Sequence, residues 1–395
     1  MNTKKNVKIA LISLFGLDYG VRYISSLLKK NGYKTDIVFF NRQKMSVEFY
    51  GNDFFSPGLL DHEVCNKEDL DLLISLLGEL KPEITGISVS STTMKTAIRI
   101  TQEIKKKLDT IVVWGGIHAI IAPRECIQFA DIVCTGEGEY PMSELAGKIE
   151  NREPITGIKS LWINNEEGIE KNEIRHLIEN LDELPFPDFI EKENKYLIDG
   201  GKIGKDIHIV SAYELEKYPV MTSRGCMYSC AFCSNSVIRE RYRDRGKYLR
   251  RRSVDNVIAE LKAAVRKRSF HTVRFWDDIF TYDKEWIDKF CTEYSRHIGL
   301  PFCCFVHPTY KNRDLIVKLR QAGLAFVSIG IESGSEKVAS KIFLRKQSND
   351  NFIEFSHFIK EQDITMRYDL ISDNPYETDN DQKTATELLL QLPRP

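Results

Sequence analysis

The sequence predicts an α/β chain in two parts. A doubly wound parallel sheet is expected over residues 1–150 and a partial (β/α) barrel over residues 216–395, with residues 151–215 as a linker between them. Three observations carry this. In both parts short β-branched runs alternate with amphipathic helical stretches, the pattern of parallel strands joined by crossover helices. That periodicity fades between 150 and 215, where Glu-Leu-Pro185-Phe-Pro187-Asp-Phe189 reads as extended backbone, because each proline disfavours helix in the residue before it. Three cysteines, Cys226, Cys230 and Cys233, then follow the first strand of the second part within eight residues.

The totals set the outer limits. With 395 residues, 42% hydrophobic and 29% charged, the chain is globular, with room for two or three domains. A formal net charge of -1 gives no global drive toward nucleic acid or an anionic membrane. No apolar run approaches the roughly 18 residues of a spanning helix, and the start leads straight into a strand instead of a signal segment, so a cytoplasmic protein is expected. Nine cysteines is an odd number without an evenly spaced framework, which predicts reduced thiols. Cys303 and Cys304, inside an apolar run, read as core residues.

In the first part a strand is expected at 7–14, a helix from Val21 to Leu28 closed by Gly32, and a strand at 35–40. The alternation continues with strands at 84–88, 111–114 and 132–134 and a helix at about 95–108. In a doubly wound sheet ligands bind at the carboxyl ends of the strands. Small polar residues collect there: Ser88, Ser90, Ser91 and Thr92, then Gly115, Gly116 and His118, then Gly136 to Glu139 with its two glycines, Gly136 and Gly138. Paired glycines let a ligand run along the backbone, and hydroxyls can bond a polar tail. A hairpin is expected within the linker, near 161–172.

In the second part strands are expected at 218–222, 272–276, 302–306, 326–331 and 365–371, with helices near 254–267, 284–298, 312–322, 348–361 and 379–392. Ser253 is the expected cap of the first of these helices. Repeated βα units of this length build a barrel whose site lies on the carboxyl face, and the cysteine loop falls on that face. Asp277 and Asp278, Glu332 and Ser333, and the stretch Asp373 to Thr378 with Glu377 stand at other strand ends. Each acid also reads as a helix N-terminal cap. Arg239 to Arg252 holds eight basic residues, which could track phosphates but read better as a solvated loop.

The spacing C-x3-C-x2-C brings three thiolates to one place. Three sulfurs are too few for a closed zinc site, which needs a fourth ligand, and they suit a 4Fe-4S cluster with one iron left open. The competing readings are a zinc knuckle with a distant fourth ligand, or a chance cluster.

With Phe232 just before the last cysteine, the trio resembles the radical S-adenosylmethionine superfamily, and the glycine and hydroxyl pattern of the first part is similar to cobalamin-binding domains. The resemblance to cobalamin-dependent radical S-adenosylmethionine proteins spans nearly the whole chain. It implies that Cys226, Cys230 and Cys233 ligate the cluster with Phe232 packed beside it, and that Asp277, Asp278, Glu332 and Ser333 contact S-adenosylmethionine. It further implies that Ser88, Ser91, Thr92, Gly115, Gly116, His118, Gly136 and Gly138 hold cobalamin. Many cobalamin domains carry D-x-H-x-x-G after the first strand; here Leu17 stands in the histidine's place, so base-off cobalamin without a histidine ligand is expected. His118 is expected to contact the corrin or its tail and not the cobalt.

The chemistry implied is methylation of an unactivated carbon or a phosphorus, in which one S-adenosylmethionine methylates cob(I)alamin and a second is cleaved at the cluster. A low-potential donor such as flavodoxin or ferredoxin is implied, with a small-molecule or natural-product substrate and neither membrane nor nucleic acid as partner. The rivals are a cobalamin-dependent cyclase or ring-rearranging enzyme and a non-catalytic cofactor-binding protein. Where such barrels have six βα units this sequence shows five, so the last strand is expected to be missing.

Overall fold

The computed structural model describes residues 5–14, 18–40, 65–205, 217–308, 313–372 and 374–394. Leu17 and Asp373 lie outside the described residues. The chain divides into two compact units, one formed by 5–178, 183–205 and 244–246, the other by 179–182, 217–243 and 247–394.

The first unit is built on β1 (Lys8–Ser13), α1 (Tyr19–Lys30), β2 (Lys34–Phe40), α2 (Lys67–Leu80), β3 (Ile84–Ser88), α3 (Met94–Lys107), β4 (Ile111–Gly115), α4 (Ile117–Ile121), α5 (Pro123–Cys126), β5 (Ile132–Cys134) and α6 (Glu139–Glu150). Then come β6 (Leu161–Asn165), β7 (Gly168–Lys171), β8 (Lys195–Asp199) and β9 (Lys202–Lys205). They form one nine-stranded sheet in the order β7-β6-β5-β4-β3-β1-β2-β8-β9. It is parallel from β5 through β8, with antiparallel strands added at both edges.

Alternation along each strand gives the sheet two cores. Ala10, Ile12 and Leu14 face α2 and α3, together with Trp114, whereas Ile9 and Leu11 face α1 and α6. The order reverses between β1 and β3, and the helices that follow these two strands lie on opposite faces. This leaves a crevice at their carboxyl ends. Asp18 caps α1 there, accepting from the Val21 N–H at 3.1 Å and from the Ser13 hydroxyl at 3.4 Å.

Residues 151–205 do more than link. The expected hairpin forms as β6 and β7, and β8 pairs with β2 at the other edge. Residues 185–187 carry neither helix nor strand as anticipated, but Asp188 and Phe189 turn instead of continuing extended, and the segment is pinned to α1. Asp188 accepts from the Ser25 hydroxyl at 2.8 Å and pairs with Lys29 at 2.6 Å and with buried Lys195 at 2.8 Å. Arg22 lies over the rings of Phe39 and Phe189. An aspartate with two ammonium partners and a hydroxyl explains how a lysine of β8 is buried at all.

The second unit runs β10 (Lys217–Val220), β11 (Ser223–Arg224), α7 (Ser234–Arg241), β12 (Arg250–Arg251), α8 (Val254–Lys267), β13 (Thr272–Phe275), α9 (Lys284–His297), β14 (Phe302–Val306), α10 (Arg313–Ala322), β15 (Leu324–Glu332), α11 (Asn349–Glu361), β16 (Thr365–Leu370) and α12 (Asp379–Gln391). Its sheet is all parallel in the order β10-β13-β14-β15-β16, and among the described residues it does not close into a ring. Phe275, Phe280, Phe290, Tyr294 and Phe302 pack edge and face into one aromatic core. Ser253 caps α8 as expected, accepting from the Asn256 N–H at 3.1 Å. All nine cysteines are free.

Candidate functional site

The cysteine loop of the second unit leaves β11 through Gly225. That residue sits at φ 90°, and a Cβ there would stand 2.4 Å from the Tyr248 carbonyl oxygen, so glycine is required for the loop to begin. Cys226 and Cys233 are half-buried and Cys230 is buried. Burial pushes the Cys226 thiol up to about 11 and raises that of Cys230. Among the described residues no three His, Cys, Asp or Glu side chains converge on one ion position.

The loop is fixed by the protein around it. The Ala231 N–H donates to the Phe343 carbonyl at 2.9 Å, Phe232 packs edge-on against Phe343 at 5.1 Å, and Tyr228 stacks on His307 at 4.0 Å. The Asn235 amide reaches the Cys233 sulfur at 3.7 Å and accepts from the Tyr248 hydroxyl at 2.6 Å. Arg239, from α7, donates to the carbonyl of Cys226, to that of Tyr228 at 2.7 Å and to the Ser229 hydroxyl at 2.8 Å.

The acids at the strand ends divide. Asp277 is buried and accepts from the Thr222 N–H at 3.2 Å, the Thr222 hydroxyl at 2.7 Å and the Ser223 hydroxyl. The structure therefore gives Asp277 a different task from the expected cofactor contact: it anchors the segment leading into the cysteine loop. Asp278 keeps solvent access, and the protein around it holds its carboxyl above the usual range against the lowering effect of an Asn235 hydrogen bond. Glu332 adopts a left-handed φ of 65° and pairs with Arg345 at 3.3 Å; burial raises its pKa. Ser333 donates to Glu377 at 2.9 Å, so Glu377 ties two strand ends together instead of capping a helix; Thr378 and Asp381 form that cap.

In the first unit the carboxyl ends of β1, β3 and β4 align Ser13, Ser88 and Gly115 in one register row. Gly116 sits at φ 91°, where a Cβ would meet the Val89 nitrogen and oxygen at 2.8 Å. This close approach lets the His118 N–H bond the Val89 carbonyl at 3.0 Å and sets the His118 Nδ1 2.9 Å from the Ser91 hydroxyl. His118 Nε2 lies 3.3 Å from Glu125. Nδ1 is thus hydrogen-bonded, whereas Nε2 is buried without a hydrogen-bond partner among the described residues. Thr92 is exposed, its hydroxyl shared with that of Ser90 at 2.9 Å. Gly136 and Gly138 follow β5, one strand further along.

The model of the B12 binding domain matches residues 7–146, and that of the radical SAM superfamily matches residues 220–389. The chain carries a radical SAM domain and, ahead of it, a B12 binding domain. It is 29% identical over 280 residues to an uncharacterized methyltransferase of Pyrococcus horikoshii, covering 69% of this chain and 56% of that one. It is 23% identical over 392 residues to the cytidylyl-2-hydroxyethylphosphonate methyltransferase of Streptomyces wedmorensis, covering 86% and 65%. The chain thus spans a little over half to two thirds of the length of these relatives. Among solved structures it is similar in fold to the radical S-adenosylmethionine methyltransferase TsrM of Kitasatospora setae, with a TM-score of 0.71, 15% identity and coverage of 98% of this chain and 71% of that one.

The cofactors of a radical SAM protein with this domain pair are a 4Fe-4S cluster, S-adenosylmethionine and cobalamin. The residues present fit them. Three thiols on one loop suit the cluster, and Ser88 and Gly115 stand side by side at the strand ends where a doubly wound sheet binds its ligand. The arginine run does not form a phosphate-tracking stripe. Arg252 is buried against Glu260 at 2.6 Å, Arg251 lies over the Trp286 ring at 3.9 Å, Arg243 pairs with Glu240, and Arg239 holds the cysteine loop.

Arg345, His307, Asn235 and Arg239 escaped sequence reasoning. Arg345 also supports the Gly330 carbonyl at 2.7 Å, and it is brought beside Glu332 by a π turn at Val338–Ile342 that no periodicity announces. His307 is held neutral, its pKa lowered to about 3 by burial and by Arg345. Asn235 had one available signal: it stands two residues after Cys233.

Proposed function

We propose that this chain is a radical S-adenosylmethionine enzyme that uses a 4Fe-4S cluster and cobalamin to transfer a methyl group to an unactivated carbon or a phosphorus of a small-molecule substrate. The observation that carries this reading is the cysteine loop. Three thiols stand on a backbone that only Gly225 permits, at the carboxyl face of a parallel sheet, with Asn235 donating to the last sulfur. The methyltransferase names of the relatives supply the direction of the reaction. When bound, the cluster with S-adenosylmethionine supplies a carbon radical and cobalamin carries the methyl group.

The chain's residues are assigned as follows. Cys226, Cys230 and Cys233 hold the cluster, and Phe232 covers it. Asp278, Glu332 and Ser333 meet the polar groups of S-adenosylmethionine, with Arg345 holding Glu332 in place. Asp277 anchors the loop. Ser88, Ser91, Thr92, Gly115, Gly116, Gly136 and Gly138 receive cobalamin, and His118 supports that surface through Ser91 without binding cobalt. Electrons come from a low-potential carrier such as flavodoxin or ferredoxin. Among the described residues no helix is long and apolar enough to cross a membrane.

The test uses anaerobically reconstituted protein with added hydroxocobalamin, a low-potential reductant and S-adenosylmethionine labelled in its methyl group, incubated with candidate phosphonates and aromatic acceptors. Label recovered in the acceptor supports the proposal. Formation of 5'-deoxyadenosine with no labelled acceptor would favour a radical rearrangement, and formation of neither, with both cofactors retained, would overturn the enzymatic reading.

A further inference from the structure

Arg239 belongs to the basic run of the sequence, and in the structure it lies against the cysteine loop. Its guanidinium reaches three acceptors on that loop: the carbonyls of Cys226 and Tyr228 and the hydroxyl of Ser229. One cation thereby spans the stretch that separates the first two cysteines. Its other side lies over the Tyr248 ring, 5.4 Å from the centroid. The Tyr248 hydroxyl bonds Asn235, whose amide reaches the Cys233 sulfur. From Arg239 a continuous path of contacts runs to the first cysteine of the trio and to the last.

The helix that carries Arg239 does not explain these contacts as packing. α7 buries no residue, so Arg239 does not fill a core, and its neighbour Arg243 is spent on Glu240 at the surface. A loop of this kind starts with three bare carbonyl and hydroxyl acceptors to satisfy. A planar fork with five donors can satisfy all of them from one side, which an ammonium cannot.

We propose that Arg239 is a positioning residue for the cluster: it holds the Cys226–Ser229 backbone in its ligand-presenting shape before metal arrives, and it sets a fixed positive charge beside the bound cluster. This rests on the reading of Cys226, Cys230 and Cys233 as cluster ligands. The two roles separate chemically. The fork geometry governs retention, because a loop that must be ordered by the metal binds it less tightly. The charge governs reduction, because adding an electron makes the cluster more negative and a nearby cation favours that state.

The experiment compares wild type, R239Q and R239K, all reconstituted anaerobically without S-adenosylmethionine or cobalamin. Iron and sulfide per chain, the rate of cluster loss to a chelator, and the midpoint potential from titration followed by electron paramagnetic resonance are read for each, with far-ultraviolet circular dichroism as the folding control. The expected result is cluster loss about tenfold or more faster in both variants, a more negative midpoint potential in R239Q, and a potential near wild type in R239K. Unchanged loss rates and potentials in well-folded R239Q would overturn the proposal. Equal potentials in R239Q and R239K would overturn its charge component. A wild type that takes up no cluster would instead overturn the underlying ligand assignment.

Discussion

The Thr222 hydroxyl donates to the Asp277 carboxylate at 2.7 Å, and the Thr222 N–H donates to it as well. Thr222, Ser223 and Asp277 are all buried, four per cent exposed or less. Asp277 therefore joins the carboxyl end of β13 to the segment that enters the cysteine loop. Asp277→Ala strands three donors away from water, at about 1–3 kcal/mol for each unsatisfied group. A loss of about 3 kcal/mol in the urea unfolding of the apoprotein is expected. Asp278→Ala, one residue along and exposed, should change stability by less than about 0.5 kcal/mol. Equal denaturation midpoints for the two variants would remove Asp277 from its anchoring role.

The burial of His118 and its hydrogen bond to Ser91 make a spectroscopic prediction. With Nδ1 on Ser91 and Nε2 buried 3.3 Å from Glu125, the ring is held inside the protein. Bound cob(II)alamin should show no axial-nitrogen splitting in its electron paramagnetic resonance spectrum, in wild type and in His118→Ala alike. A splitting present in wild type and lost in the variant would show that the histidine leaves Ser91 and Glu125 to bind cobalt.

Gly115 and Gly116 give a paired test of the same surface. A methyl at Gly115 meets Cys134 Cβ at 3.9 Å, ordinary contact, whereas one at Gly116 meets backbone at 2.8 Å in a left-handed conformation. Gly116→Ala should destabilise the protein by more than about 1 kcal/mol and reduce corrin retention after gel filtration. Gly115→Ala should keep its stability while losing corrin, if the ligand runs along this strand end. Retention by both variants would place cobalamin elsewhere.

Much of this was legible in the sequence where local chemistry decides. Strands β3, β5 and β14 and helix α8 begin and end where expected, because β-branched runs bounded by turn residues, and a Ser253 cap with one apolar face, are complete local signals. The edge strands were not legible. β8 carries Lys195 facing inward, which no hydrophobic pattern can announce, since its burial depends on Asp188 arriving from a separate stretch. The trio and Asp278 stand out in the sequence as candidates by their spacing and their place at strand ends. Arg345, His307 and Arg239 do not, because each works through a partner distant in sequence: Glu332 for Arg345, Tyr228 for His307, and the Cys226 carbonyl for Arg239.

Asp381 gives the pH prediction. Its carboxylate accepts from the Ser335 hydroxyl at 2.6 Å and from the Thr378 N–H at 3.0 Å and hydroxyl at 2.7 Å, closing the cap of α12 onto the segment after β15. Those hydrogen bonds, that of Ser335 foremost, lower its pKa from 3.8 to about 2. A carboxyl whose pKa is depressed on folding stabilises the native state fully above its unfolded pKa, and the stabilisation is lost as pH falls through the folded one. The contribution of Asp381 is therefore complete above about pH 4 and fades between about 4 and 2. Asp381→Asn should lower the thermal midpoint at pH 7 and should narrow its gap from wild type as the pH is brought from 4 toward 2. A gap that stays constant across that window would mean that the ionised carboxylate is not what holds α12 in place.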